Sequence, residues 1–227
     1  MEAAVRYTLL ISSLPPLPAL FALRETPISR FRLRQRLALL TQQDAATLQN
    51  LEGLMDWKRM PLESTDPELV RTVEQLLARL DSAPLQAMVR ARFEQYTVVT
   101  ALRRRLRGAS APARSERWGY GRFLAAIVRN WTEPLFRLEH AFPWIREAHQ
   151  YLHDHDSLGL ERLLLATAWQ QLARASEGHY FDFEAVVSYV LRWNLLECWI
   201  SWDRRTAMAR FRGLLESGLG EHQALFH

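Results

Sequence analysis

The sequence predicts an all-α protein, and its helix-capping residues and the missing strand pattern carry that prediction. Ser29 and Asp182 stand where helix N-caps are expected, each before a run free of glycine and proline. No window alternates apolar and polar β-branched residues as a half-buried strand does, although the β-branched run at 97–100 weakens one helix locally. We therefore expect helices alone, packed as two lobes.

The stretch over residues 180–211 is the most apolar, and we expect its helix to be the core of the fold. At 100° per residue, Tyr189 and Trp193 share an apolar face, and the polar strip beside it is thin. Asn194 and Glu197 fall inside the apolar sector. A buried carboxylate is costly unless a cation or hydrogen-bond donor meets it, so another part of the chain is expected to supply that partner.

Other helices are predicted from caps, first-turn prolines and apolar periodicity. In the first half they span 29–40, 44–57, 69–80 and 84–106, the third preceded by Asp66-Pro67-Glu68. In the second half they span 123–131, 134–141, 143–153 and 158–173. A further short helix, over 204–215, is predicted towards the end of the chain. The apolar run at 7–14 is equally compatible with a short strand or a helical turn.

A boundary is predicted near the middle of the chain. Gly108 is expected to end the fourth helix, and residues 109–116 are rich in Ala, Ser and Pro. We expect an N-terminal lobe over 1–108, a short linker over 109–116 and a C-terminal lobe over 117–227. Because the linker is short, the lobes are expected to pack together.

Composition indicates an ordinary globular protein. Apolar residues make up 48% and charged residues 24% of the chain, and the net charge of +4 comes almost entirely from arginine, since Lys58 is the only lysine. The single cysteine, Cys198, excludes an internal disulfide and suits a reducing compartment. The N-terminal apolar run is far shorter than a membrane span and follows no cluster of positive charge, so we expect a cytoplasmic protein.

Three histidines form the densest group of metal-ligating residue types. His149 and His153 are spaced i, i+4, as a zinc pair on one helix face would be, and His155 follows. No glutamate follows the first histidine and no third distant ligand is evident, so a solvated helix end is the favoured interpretation. Phosphate loops, nucleotide-binding glycine patterns and nucleophile elbows are absent from the sequence, which predicts neither an enzyme nor a cofactor. A metal-dependent hydrolase is the weakest alternative.

The arginines between Arg103 and Arg107 are the most concentrated positive charge. Such a cluster can bind phosphate groups, which makes a basic helical nucleic-acid-binding protein an alternative function. Aromatic residues are not interleaved with these arginines as stacking platforms would be. We therefore expect no nucleic-acid partner and interpret the cluster as cations at a helix C-terminus, where the macrodipole favours them.

Several segments resemble an uncharacterised bacterial family that accompanies the components of V/A-type ATPases. The resemblance extends over nearly the whole chain and rests on RYTLLISSLPPL, FEQYTVVTALRRRLRG, HDSLGLERLLLATAWQQL and YFDFEAVVSYVLRWNLLECWISWDRRTAMARF. The last segment is the most specific, because its order of aromatic and acidic residues before WIxxD is unusual.

A second similarity is to the C-type subunit of V/A-type ATPases, which is called d-type in eukaryotes. The C-type subunit carries an acid, then Asn-Ile, then Leu-Arg-x-Lys at helical spacing. The corresponding positions here are Glu94, Thr97, Val98, Leu102, Arg103 and Arg105. Thr97 differs from the pattern, which has asparagine at that position. Tyr189 and Glu197 resemble its Ala-Tyr-Leu helix and following glutamate, one residue further apart.

The resemblance to the C-type subunit implies a non-catalytic collar that joins the rotating shaft to the proteolipid ring, with two helical lobes that correspond to part of that fold. The implied partners are the shaft subunits and the ring, with membrane contact only through the complex at the inner membrane and no small-molecule substrate. The implied coupling residues are Glu94, Arg103, Arg105, Tyr189 and Glu197, and Asn194 joins them as the polar residue in the apolar sector of the core helix. Arg103 is the predicted cation for Glu197, because it matches the arginine of that pattern and follows Leu102 on the apolar side of its helix.

Overall fold

The computed structural model describes residues 2–22, 24–55, 67–113 and 116–202. Within these ranges all regular secondary structure is helical, which confirms the predicted all-α class. The helices are α1 (Glu2–Ser13), α2 (Arg30–Leu37), α3 (Gln42–Met55), α4 (Pro67–Arg79), α5 (Ala83–Leu106), α6 (Leu124–Arg129), α7 (Ile145–His153), α8 (Ser157–Ala175) and α9, which covers residues 183–202.

Side-chain caps fix where several helices begin. The Ser29 hydroxyl accepts from the Arg32 amide at 3.3 Å, and Asp182 Oδ1 accepts from the Ala185 amide at 2.9 Å, so both predicted caps are confirmed. Ser82 caps α5 and Asp156 caps α8 in the same way. The predicted cap Asp66 lies outside the described residues.

The structure decides one open choice and corrects one predicted helix. The N-terminal apolar run, for which the sequence allowed a strand or a helical turn, is helical, because α1 continues through Ser13. Residues 134–141 form turns instead of the predicted helix, since Phe136 and Arg137 have φ values of 54° and 57° in the left-handed region. This change of backbone direction places the fully buried Phe136 ring in the core, 5.5 Å from the Trp131 ring centroid. The predicted helix over 204–215 lies outside the described residues.

Helix α5 is the common packing partner of the fold. It spans 24 residues and contacts α3, α4, α6, α7 and α8. The β-branched run at 97–100 continues this helix without a break, because all four side chains are buried and gain packing that outweighs their weak helix propensity. The Thr97 hydroxyl also accepts a hydrogen bond from the Tyr120 amide at 2.8 Å, and this bond holds the segment that follows the predicted linker against α5.

The larger hydrophobic core is built from helices at both ends of the chain. Leu10 of α1 and Val73 of α4 belong to it together with Phe93 of α5, Leu165 of α8 and Val187 of α9. A second core surrounds the later part of α5 and includes Leu102, Ile127 and Ile145. Helices that follow residues 109–116 therefore contribute to both cores, while the two-lobe division at that linker stays a prediction.

The described helices include none that could cross a membrane, by length or by hydropathy.

Gly121 is predicted to tolerate no side chain. Its φ is +117°, and a Cβ atom would lie 2.5 Å from the Cγ of Glu94. Replacement by alanine should lower the free energy of unfolding by about 2 kcal/mol, because it combines backbone strain with a clash. Gly53 is the matched control: it lies inside α3 with open space around it, and Gly53→Ala should raise stability by about 0.5–1 kcal/mol. Urea denaturation of both variants checks this, and a Gly121→Ala protein as stable as the parent would contradict it.

Candidate functional site

The polar residues of α9 meet charged residues of the N-terminal helices in one bonded network. Arg30 Nη2 of α2 lies 2.6 Å from Glu197 Oε2, and Arg30 Nη1 lies 3.2 Å from Glu52 Oε1 of α3. The Asn194 amide donates to the same Glu52 oxygen at 2.9 Å. We call these four residues the α9 network. It joins helices α2, α3 and α9 by side-chain bonds.

Trp193 holds Arg30 in place. The Arg30 guanidinium carbon lies 4.4 Å from the centre of the Trp193 ring, within the range of a cation–π contact. Trp193 is 1% exposed, and its indole N–H donates to the carbonyl of Ile28 at 3.0 Å. Because Ser29 caps α2, Arg30 is the first residue of that helix. The cap and the contact with the Trp193 ring together set its position.

The structure places a cation from the first half of the chain against Glu197. That cation is Arg30, whereas the pairing of Glu197 with Arg103 stays a prediction. Glu197 keeps 33% of its side-chain surface, so it is half-buried instead of fully buried as its apolar neighbours suggested. Helical periodicity orders the faces of one helix, but it does not state which other helix each face meets. That choice needed the tertiary packing.

A polar cleft of about 940 Å³ opens beside the α9 network. Residues from α2, α3, α4, α5, α8 and α9 line it, and Arg92 of α5 contributes to it while only 7% exposed. Desolvation by burial lowers the pKa of the Arg92 guanidinium to about 9, so the group is still charged at neutral pH. Arg92 Nη1 donates to Gln95, and the Gln95 amide donates to the Leu164 carbonyl of α8 at 3.0 Å.

Two other predicted coupling residues lie on α5, where they hold the segments that follow the linker. Glu94 is 12% exposed at its side chain and accepts from the Arg122 backbone amide at 3.3 Å. Arg105 donates to the carbonyls of Trp131 and Thr132 at 3.0 and 3.1 Å. Arg103 is half-buried one turn before the end of α5. Glu94 and Arg105 therefore bond the segments after the linker, away from the residues of the α9 network.

Tyr189 fastens the proline-rich segment after α1 to α9. Its hydroxyl donates to the Pro15 carbonyl at 2.9 Å. Desolvation by burial raises the pKa of Tyr189 to about 12, and the nearby Arg36 cation opposes that rise only partly. Arg36 in turn donates to the Ser13 carbonyl. The segment between α1 and α2 is thus attached at its beginning by these two side chains and at its end by Trp193.

The three candidate metal-ligating histidines show no common ligand geometry in the described part of the chain. His153 Nδ1 lies 3.2 Å from its neighbour Asp154, and burial lowers the pKa of His149, with Arg105 and His153 adding to that effect. Among the described residues, the group with ligand atoms within 4.8 Å of one another is His179, Asp182 and Glu184. Asp182 also caps α9, and Glu184 accepts from Ser82 at 2.7 Å, so both have structural roles.

Sequence reasoning missed Arg30, Glu52 and Arg92. Arg92 carried a usable signal, because it follows the buried Met88 and Val89 at i+4 and i+3 and so had to lie on the buried face of α5. Arg30 and Glu52 had none, since both belong to helices with many exposed polar residues.

A family model described as "Protein of unknown function (DUF2764)" matches residues 122–218. The match includes α6, α7, α8 and α9, and therefore Tyr189, Asn194 and Glu197. Arg30 and Glu52 lie outside it. No curated protein and no solved structure matches the chain significantly.

The contact between Arg30 and Glu197 is predicted to be energetically coupled. Arg30→Met and Glu197→Gln should each destabilise the protein by about 1–2 kcal/mol, and the double variant should recover about 1 kcal/mol of the summed loss, since both groups are only partly solvated. Chemical denaturation of the four proteins measures this coupling. The control pair is Glu133 with Arg137, more exposed and at i, i+4, for which coupling should stay below about 0.5 kcal/mol. Strictly additive losses for Arg30 and Glu197 would show that the contact contributes nothing.

Tyr189 is predicted to make stability fall in alkali. Its pKa is about 12 in the folded chain and ordinarily 10, so between those values the unfolded chain releases the proton first. The contribution of Tyr189 to the free energy of unfolding should therefore be constant below pH 10 and decrease from pH 10 towards 12. After allowance for its partial exposure, this group accounts for about 1–2 kcal/mol of the decrease. Denaturation at several pH values should show a shallower decrease for Tyr189→Phe and an unchanged one for the exposed control Tyr180→Phe.

Proposed function

We propose that this chain is a non-catalytic component of a V/A-type rotary ATPase, a collar like the C-type subunit that couples the central shaft to the proteolipid ring. The proposal rests first on the resemblance of its sequence segments to the family that accompanies these ATPases. The observation that carries it in the structure is the α9 network, in which Arg30 and Glu197 meet across 167 residues of sequence.

A coupling collar transmits torque, and torque requires parts that do not slide past one another. Packed helices provide much of that stiffness, because protein interiors are close-packed and transmit strain. Directional bonds between helices add to it: the α9 network connects α2 and α3 to α9, and Gln95 connects α5 to α8. The arrangement supports a mechanical role for residues that are remote from one another in the sequence.

The alternative of a nucleic-acid-binding protein finds less support in the basic end of α5. Arg104 pairs with Glu116 at 2.6 Å, and Arg105 is engaged with two backbone carbonyls. Arginines that already have these partners are less available to phosphate groups. The collar proposal needs no such binding.

Affinity capture tests the proposal. The tagged full-length chain is co-expressed with the shaft and ring subunits of the rotary ATPase from the same genome, and the membranes are solubilised before capture. We expect both subunits to be recovered in fixed ratio with the chain, and a tagged helical protein of unrelated sequence to recover neither. If the ATPase assembles and the chain captures neither subunit, the collar role is wrong.

A further inference from the structure

The cleft beside the α9 network has a strongly positive lining. Four arginines and two glutamates line it, with no other charged residue among the described lining: Arg30, Arg34, Arg79, Arg92, Glu52 and Glu197. Both glutamates already bond Arg30. Arg34 and Arg79 are exposed and make no ion pair within the part of the chain that the structure describes. Among the described lining residues, Arg34 and Arg79 therefore carry positive charge that no carboxylate of the cleft pairs with.

A hydrogen-bond acceptor beside this charge also lacks a donor. Asn194 donates to Glu52 through its amide nitrogen, whereas its Oδ1 atom is buried and has no hydrogen-bond partner among the described residues. Buried polar atoms normally have partners, and an acceptor left without one is satisfied by water or by a ligand.

The remaining lining distinguishes between kinds of occupant. Leucine and methionine side chains such as Leu54, Met55 and Leu76 line part of the cleft and are only partly buried, and a small inorganic anion would leave them uncovered. No aromatic side chain is found among the described lining residues, so bases of a nucleic acid would have no stacking surface. A helix about 10–12 Å in diameter with one apolar and one acidic face matches both the charge and the apolar surface.

We propose that this cleft binds a carboxylate-bearing amphipathic helix of a neighbouring protein in the complex, with its acidic side chains on Arg34 and Arg79 and its apolar side chains on the leucines within. The inference rests on the proposed function, because it names the chemistry by which the collar recognises a neighbour. Arginine binds carboxylate through two parallel N–H···O bonds, which selects an acid over an amide of the same shape.

The direct test uses a defined probe. A fluorescent 20-residue peptide with leucines on one helical face and glutamates on the other is compared with its glutamine counterpart, using the full-length protein and fluorescence anisotropy. The glutamate peptide should bind at least about tenfold more tightly. Equal binding of the two peptides would overturn the inference, because the cleft would then not recognise carboxylates.

A charge-matched pair of variants separates the cleft from net charge. Arg34→Glu with Arg79→Glu should weaken binding of the glutamate peptide at least about tenfold. Arg129→Glu with Arg146→Glu makes the same change in net charge at exposed positions outside the cleft lining, and should change binding less than about threefold. Equal weakening by the two double variants would overturn the inference, since it would show attraction to overall charge alone.

The capture experiment distinguishes failure of this inference from failure of the proposed function. If the wild-type chain captures the rotor subunits and the Arg34→Glu, Arg79→Glu chain does not, while its circular dichroism is unchanged, the inference is supported. If both chains capture the rotor equally, the inference is wrong and the collar role stands. If neither captures the rotor but the wild-type chain still selects the glutamate peptide through Arg34 and Arg79, the cleft is correctly assigned and the collar role is wrong.

Discussion

The structure depends on how α9 accommodates a carboxylate on an otherwise apolar helix. Glu197 lies between Leu196, which is fully buried, and Cys198, which is nearly so. Glu197 keeps a third of its side-chain surface, so leaving it ionised without a partner would cost part of the penalty of a buried carboxylate. Arg30 removes that cost, and the Trp193 ring and the Glu52 carboxylate keep Arg30 in position. The first residue of α2 is therefore fixed by chemistry on the last described helix.

The same helix attaches the irregular segment between α1 and α2. That segment contains several prolines, and its described residues do not form a regular helix, so many of their carbonyl groups need other donors. Tyr189 donates to Pro15, and Trp193 donates to Ile28. Helix α5 acts similarly on the later segments through Thr97 and Arg105. Two long helices thus form hydrogen bonds with the backbone of the loops around them, and these directional bonds hold the loops against the helices.

The family match and the α9 network do not cover the same part of the chain. Asn194 and Glu197 lie within the matched residues 122–218, whereas their partners Arg30 and Glu52 lie before them. The network therefore joins the segment that the family model matches to helices that lie outside the match. In the proposed role, these contacts would resist movement of α2 and α3 relative to α9. Separating the helices would leave each charge poorly compensated.

The sequence by itself determined the helical class, most helix positions and the residues of α9 that require polar partners. These features depend on local chemistry: a cap such as Ser29 satisfies nearby amides, and apolar spacing defines one face of one helix. The turns at 134–141 were not predictable, since Phe136 adopts a left-handed backbone to place its ring in the core. The contact of Arg30 with Glu197, and the cleft that gathers Arg34, Arg79 and Arg92, were decided by tertiary packing alone. Many arginines have the charge to meet a carboxylate, and only the arrangement of helices determines which of them reaches it.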